Sequence, residues 1–514
     1  MAFSQNTCNF SVPGAGKTSI VYGAYAYLKN LSDDNPRRVD KLLVIGPLSS
    51  FAPWEIEFEE CFGEKTSFQR LSGESSISTE VKKQHLYSAK PAEVTLIFYM
   101  GVDSLQTEII DFLKQNRTMV VVDEAHRIKN PDGVWGRSVI EIAKEARSRI
   151  VLTGTPVPNG YEDLYNLYQF IYPYKYKDIL NFHYGNLVDM TQNNLPDSQR
   201  VKDFTNNISP FFIRIKKSDL DLPPVKEEII NVDMDQQQRE IYDFIETKYI
   251  KSFRNNPSAT VKDVLNKAKL IRLRQAAINP ELLQKPLKET LHCDDIESNF
   301  IQGSKVPEMY LDDSEIISKI INYPKYNTPR KFEEVYKLLS EKIIPYSEKA
   351  IIWSIFILNA KTLQNYLFHK NIKSELLIGE VEQVDRESVI KKFNNSNNLD
   401  FQVVIANPFS VAESISLHKG CHNAIYLERD YNSSNFLQSK DRIHRVGLNK
   451  NQITNYYYLL SKNSIDGVIN DRLNDKIKRM QKLIDNEIPL FTRISDNDDT
   501  DLIKALIVDY AKRT

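Results

Sequence analysis

Short, almost uninterrupted apolar runs alternate with helix-period stretches in two separate blocks of this 514-residue chain, and that alternation excludes most architectures. In the first block, from the start to about residue 172, the runs are NFSV, KLLVIGP, VTLIFYM, TMVVVDE and RIVLTGT. In the second, from about residue 326 to 475, they are KAIIWSIF, SELLIGE, FQVVIANP, NAIYLERD and ITNYYYLL, separated by helical stretches such as DRESVIKKFNN. Runs of this kind suit strands covered on both faces of a parallel sheet, and their shortness and Val/Ile content disfavour buried helices. Two α/β sheets in one chain are therefore expected.

Between the blocks the pattern changes. Ile241, Ile245, Tyr249 and Phe253 recur every fourth residue, and VKDVLNKAKLIRLRQAAI also fits a helix, so a helical arm is expected there. The polar stretch LHCDDIESNFIQGSKVPEMYLDDSE reads as a mobile loop, and the acidic end from about residue 485 as a weakly ordered tail or a short terminal helix. The expected organisation is a first lobe over 1–172, the end of that lobe and a helical insertion over 173–325, a second lobe over 326–475, and a tail over 476–514.

Lys plus Arg (67) nearly balance Asp plus Glu (68), so any surface for nucleic acid must be a local one. Cys8, Cys61, Cys293 and Cys421 lack metal-type spacing, which argues for buried thiols rather than a zinc site. With neither a secretory leader nor a long apolar run, the expectation is a cytoplasmic protein that does not enter a membrane.

The chemistry begins at SVPGAGKTS, residues 11 to 19, a strand-to-helix loop close to G-x-x-x-x-G-K-[ST] in which Ser11 replaces the first Gly. Gly14, Ala15, Gly16, Lys17, Thr18 and Ser19 are the candidate nucleotide-binding residues. Backbone amides would approach the phosphates of ATP, Lys17 would neutralise their outer oxygens, and Thr18 would hold Mg2+. A Gly-rich turn is also ordinary structure, so the loop needs a second half.

TMVVVDEAHRIKN supplies it. A buried strand delivers Asp123, which can accept Mg2+, and Glu124, which can orient or deprotonate the attacking water. His126 either couples the nucleotide to neighbouring motifs or is simply a hydrogen-bonded histidine. In the second block, QSKDRIHRVG carries Arg442 and Arg445 three apart, on one face if the segment is helical, where they could neutralise charge on the transferring phosphate. One lobe would then hold phosphate and Mg2+ and the other would supply arginines, so that hydrolysis changes how the lobes close.

Taken in order, these motifs resemble the superfamily 2 helicase-type motors, and specifically the Swi/Snf-like group of double-stranded DNA translocases. LLVIGPLSSFAPWEIEFEECF, with Pro47, Ser49, Trp54 and Glu57, resembles that group's next motif; LTGTPVPNGYEDLYNLYQFIYP, FFIRIKKSDLDLPPVKEEIINV and LRQAAINPELL resemble further signatures. The resemblance implies two RecA-like parallel-sheet lobes with a helical insertion between them, ATP and Mg2+ as cofactors, and double-stranded DNA as a largely sequence-independent partner. It implies a DNA-dependent ATPase with Glu124, Asp123, Arg442 and Arg445 as its catalytic set. It also makes Ser49, Thr153, Thr155, Ser354, Glu413 and Gln438 candidates for DNA contact or coupling, although small hydroxyls also cap helices and bond their own turns. For Trp54, packing is the favoured reading.

The chain departs from the group in three places. Ala412 and Ser414 stand where glycines are usual, in NPFSVAESISLHKGCHNAIYLERD, while Glu413 and Ser416 are preserved in kind; Leu448 stands where a Gln commonly follows. This ESISLH variant resembles a bacterial branch associated with DNA modification or phage defence, which implies a nuclease or methylase partner. The group's glutamine-containing adenine segment has no well-spaced counterpart, since Gln5 lies close to Lys17; the expectation is either that the chain is part of a longer protein or that adenine is held differently. A strand-separating DNA or RNA helicase, and a nucleotide-dependent scaffold subunit, are the alternative functions.

Overall fold

The computed structural model describes residues 1–2, 4–72, 78–154, 160–193, 198–255, 261–284, 313–411, 415–431, 433–484 and 498–513. The chain divides into two units, the first built on Met1–Asp221 and the second on Leu222–Ala412 and Ser416–Lys478.

The first unit contains seven parallel strands, β1 (Asn6–Asn9), β2 (Lys41–Ile45), β3 (Phe68–Arg70), β4 (Val94–Ile97), β5 (Thr118–Asp123), β6 (Ser148–Leu152) and β7 (Phe212–Ile213). Their order is β3-β4-β2-β5-β6-β1-β7. Strand β5 shows why the apolar runs are continuous: Val120 and Val122 join one buried cluster while Met119 and Val121 join another. Side chains alternate between faces, and both faces are covered, so the run Met119–Val122 between Thr118 and Asp123 is apolar throughout. The order also sets β5, β6 and β1 side by side, and in an α/β sheet the carboxyl ends of neighbouring strands are where ligands bind.

The second unit holds six parallel strands, β8 (Val225–Val232), β9 (Ala350–Trp353), β10 (Ser374–Leu377), β11 (Val403–Ala406), β12 (Asn423–Tyr426) and β13 (Thr454–Ser461). The order is β10-β11-β9-β12-β13-β8. Strand β8 runs beside β13 from Val225↔Thr454 to Val232↔Ser461, at the edge of the sheet. The chain thus enters this sheet before the helical segment and returns to its centre afterwards through β9.

The helices Gln236–Asn255, Val261–Ile278 and Ser314–Tyr326 share one apolar cluster with the helix Asp498–Arg513. Ile241, Ile245 and Tyr249 of the four-residue pattern are buried in it; the side chain of Phe253 is outside the described ones. Arg513 binds Glu246, whose side chain is 1% exposed, at 2.7 Å, so the last described helix is tied to the insertion by a charge pair. The polar stretch of residues 285–312 and the acidic residues 485–497 lie outside the described residues. Cys8 and Cys421 are buried and Cys61 is exposed. No described helix is long and apolar enough to cross a membrane.

Candidate nucleotide site

Strand β1 runs into the phosphate loop without a break in hydrogen bonding. Phe10 N–H donates to Ile213 O at 2.9 Å and Val12 N–H to Ile215 O at 3.1 Å, while Arg214 Nη1 donates to Phe10 O at 2.8 Å. Ser11, the departure from the glycine pattern, is fully buried, and its Oγ accepts the Ile215 N–H at 2.9 Å. A glycine could not make that bond. Gly14 (φ 79°) and Gly16 (φ 71°) adopt the left-handed conformation, and a Cβ on Gly16 would meet nothing within 4 Å, so conformation rather than space calls for glycine there.

Gly16 opens the helix Lys17–Lys29, whose first turn carries no acidic residue. Its amino-terminal amides and partial positive charge favour an anion. Lys17 Nζ rests on Ser11 O at 3.2 Å and Val12 O at 3.3 Å. Ser19 has a protein partner: its N–H donates to Glu57 Oε1 at 3.0 Å and its hydroxyl donates to the same oxygen. Glu57 thereby locks the helix Phe51–Phe62 to the first turn after the loop.

Asp123 ends β5, buried, with Oδ2 accepting Trp54 Nε1–H at 3.1 Å and Oδ1 accepting the Glu124 N–H at 3.0 Å. Tyr99 OH donates to Asp123 O. Burial, and then the Glu124 charge, push the Asp123 carboxyl up to about 6, against the opposing Trp54 bond and the Lys17 ammonium. A buried carboxylate beside a second carboxylate is costly unless a cation joins it, and a carboxylate anchored by a backbone N–H is the hard-oxygen chemistry that suits Mg2+. The residues fit the ion.

Glu124 has φ 51°, a strained choice for a side chain of its size. Its Oε2 lies 3.4 Å from His126 Nδ1, and that nitrogen lies 3.4 Å from Thr153 Oγ1. Thr153 follows β6 and is fully buried; next to it, a Cβ on Gly154 would come within 2.9 Å of Pro13 Cδ. One string of side chains therefore joins the carboxylate to the segment packed on the phosphate loop. His126 Nδ1 thus sits between Glu124 and Thr153.

In the second unit the arginine segment is not helical. The helix Ser433–Lys440 ends before it, and Asp441, Arg442, Ile443 and His444 are all buried. Four consecutive buried residues do not fit one face of a helix; the chain turns instead, with Arg442 N–H donating to Ser439 O at 3.3 Å. Arg442 is 6% exposed, its Nε donating to the carbonyl of the half-buried Gln438 at 3.1 Å, and Arg445 is half-buried.

Ser354, a candidate for DNA contact, is fully buried, and its hydroxyl donates to Glu428 Oε1 at 3.0 Å. The same oxygen accepts Ile355 N–H at 2.7 Å and Phe356 N–H at 3.3 Å. In this conformation Ser354 shapes a loop rather than facing solvent. Glu428 went unnoticed in the sequence, although a carboxylate just past an apolar strand is the signal that marked Asp123. Ser49 is half-buried in the short turn Leu48–Ser50; Thr155 and Glu413 lie outside the described residues.

Compared with known proteins, residues 11–282 match the SNF2-related domain and residues 330–447 the helicase conserved C-terminal domain. The chain is 24% identical to the ATP-dependent helicase FUN30 of Saccharomyces cerevisiae, over 90% of its own length and 44% of that protein. It is 26% identical to the chromatin remodeling factor mit1 of Schizosaccharomyces pombe, over 85% of its length and 29% of that protein. It therefore spans less than half of these curated relatives. The Sulfolobus solfataricus SWI2/SNF2 ATPase core, solved in complex with dsDNA, is 21% identical, with 98% of this chain and 94% of that one covered at a TM-score of 0.37.

Proposed function

The chain belongs to the SNF2-related family, and from that premise we propose that it is an ATP-dependent motor that moves on double-stranded DNA without necessarily separating the strands. One observation carries the reading: Lys17, Asp123, Glu124, His126 and Thr153 converge at the carboxyl ends of β1, β5 and β6 in one unit. Bound ATP would meet the loop amides and Lys17, and Mg2+, supplying charge neutralisation, would be held by Thr18 and Asp123. Glu124 orients the attacking water and takes its proton. Arg442 and Arg445 are assigned to the charge that develops on the transferring phosphate, an assignment that rests on their motif. The DNA partner is bound through its backbone, without reading sequence.

ATP turnover measured with duplex, single-stranded and no DNA tests the proposal. Duplex should stimulate hydrolysis, less so as salt rises; turnover indifferent to duplex would sink it. Glu124→Gln should lower turnover by roughly 100-fold or more. Equal rates for parent and variant would mean that hydrolysis arises elsewhere.

A further inference from the structure

We propose that His418 is a positioning residue, fixing the turn that presents Arg445; the inference rests on the arginine assignment above. Two separate stretches of chain are stitched together around this imidazole. Ser416 Oγ and His418 Nδ1 lie 2.6 Å apart, and Leu417 N–H, between them, donates to Arg442 O at 2.9 Å. Asn394 Nδ2 fixes the same stretch from the other side by donating to Ser416 O at 2.7 Å.

The far edge of the ring supports the turn itself. A Cβ on Gly447 would stand 3.1 Å from His418 Nε2, and Gly447 has φ 104°, so the chain closes over the ring where only glycine is comfortable. His444, in the same turn, is held separately by Nε2 to Pro223 O at 2.8 Å. Arg445 is thus bracketed, one residue before and two after, by anchored positions. His418 is 9% exposed and keeps a neutral ring, because burial, then Arg445, Lys419 and His422, hold its pKa down to about 3. A neutral ring can lie beside the guanidinium without neutralising or repelling it, which a carboxylate or an ammonium could not do.

Steady-state ATP hydrolysis by the full chain with duplex DNA provides the test. His418→Ala should lower kcat roughly 10- to 100-fold, the scale of an ångström-sized misplacement, while KM for ATP moves less than about two-fold. His418→Gln, neutral and able to both donate and accept, should restore most of the rate. In an Arg445→Ala background, His418→Ala should add almost nothing, since both changes remove one interaction. Losses that multiply in the double variant, or a loss confined to KM, overturn the inference. If His418→Ala does not fold, Gly447→Ala disturbs the same contact from the opposite side and should give the same kcat-specific loss; an unchanged kcat there overturns the inference. Full turnover by Arg445→Ala overturns the arginine assignment and this inference together. A slow Arg445→Ala beside a fast His418→Ala overturns this inference alone.

Discussion

Trp54 Nε1 donates to Asp123 Oδ2 at 3.1 Å, so a side chain that looks like core from its burial also orients the carboxylate assigned to Mg2+. The indole is 1% exposed and meets Tyr22 edge-on at 5.2 Å. Trp54→Phe keeps most of that packing and removes the N–H. The Mg2+ concentration for half-maximal ATP turnover should rise by roughly 10-fold or more, within the range for lost hydrogen-bonded support of a metal ligand. A magnesium titration of turnover in parent and variant checks it.

Gly154 lies against Pro13 of the phosphate loop. Gly154→Ala would place a carbon 2.9 Å from Pro13 Cδ, and a proline ring cannot swing aside as a flexible side chain would. KM for ATP should rise by about ten-fold or more as the loop is displaced, with a small change in the unfolding midpoint. Kinetics and thermal unfolding on one preparation separate the two effects.

Ser11→Gly would restore the commoner loop sequence yet weaken the protein. The Ile215 N–H would lose its acceptor at a part-buried position, costing about 1 kcal/mol. Denaturant unfolding should show the loss while ATP turnover persists.

Arg513→Ala should destabilise the second unit more than a surface change does. It leaves the Glu246 carboxylate, 1% exposed, without its cation, and removing one partner of a buried pair costs about 3 kcal/mol. Glu246 is already pushed upward by burial, so the variant should take up a proton there rather than hold the charge. Glu246→Gln combined with Arg513→Ala should recover part of the loss in chemical denaturation.

Acid should weaken the fold through His418. Its pKa lies at about 3 in the folded chain and near the ordinary 6.5 in the unfolded one, so between those values the unfolded state binds the extra proton. The contribution is complete above pH 6.5 and is lost as pH falls toward 3, at up to about 1.4 kcal/mol per pH unit. His85 and His422, also lowered by burial, act in the same direction. Unfolding of His418→Gln should show a shallower decline between pH 6.5 and 4 than the parent does.

The sheets were legible because both faces of strands such as β5 are covered, which writes continuous apolar runs into the sequence. Strand β8 was not: VKEEIINV lies at a sheet edge, its residues mostly exposed until Val232, so nothing in its composition separates it from a loop. Lys17, Asp123 and Glu124, singled out from local spacing, lie near one another in the structure. The Trp54 bond was not legible, since one N–H on a large apolar ring leaves no trace in a burial pattern. The three-residue spacing of Arg442 and Arg445 puts them on one face only if the segment is helical; here the chain is tightly turned and buried instead.

The edge pairing of β8 with β13 has a mechanical meaning. The helices from Gln236 to Tyr326 leave the second sheet at one border and come back at its middle, so both roots of the excursion are set in the same plate. An appendage fastened at a single point can swivel; one fastened at two resists torque. Force applied to these helices should pass into the backbone of the second sheet as rotation of the whole body, with little bending at the attachment.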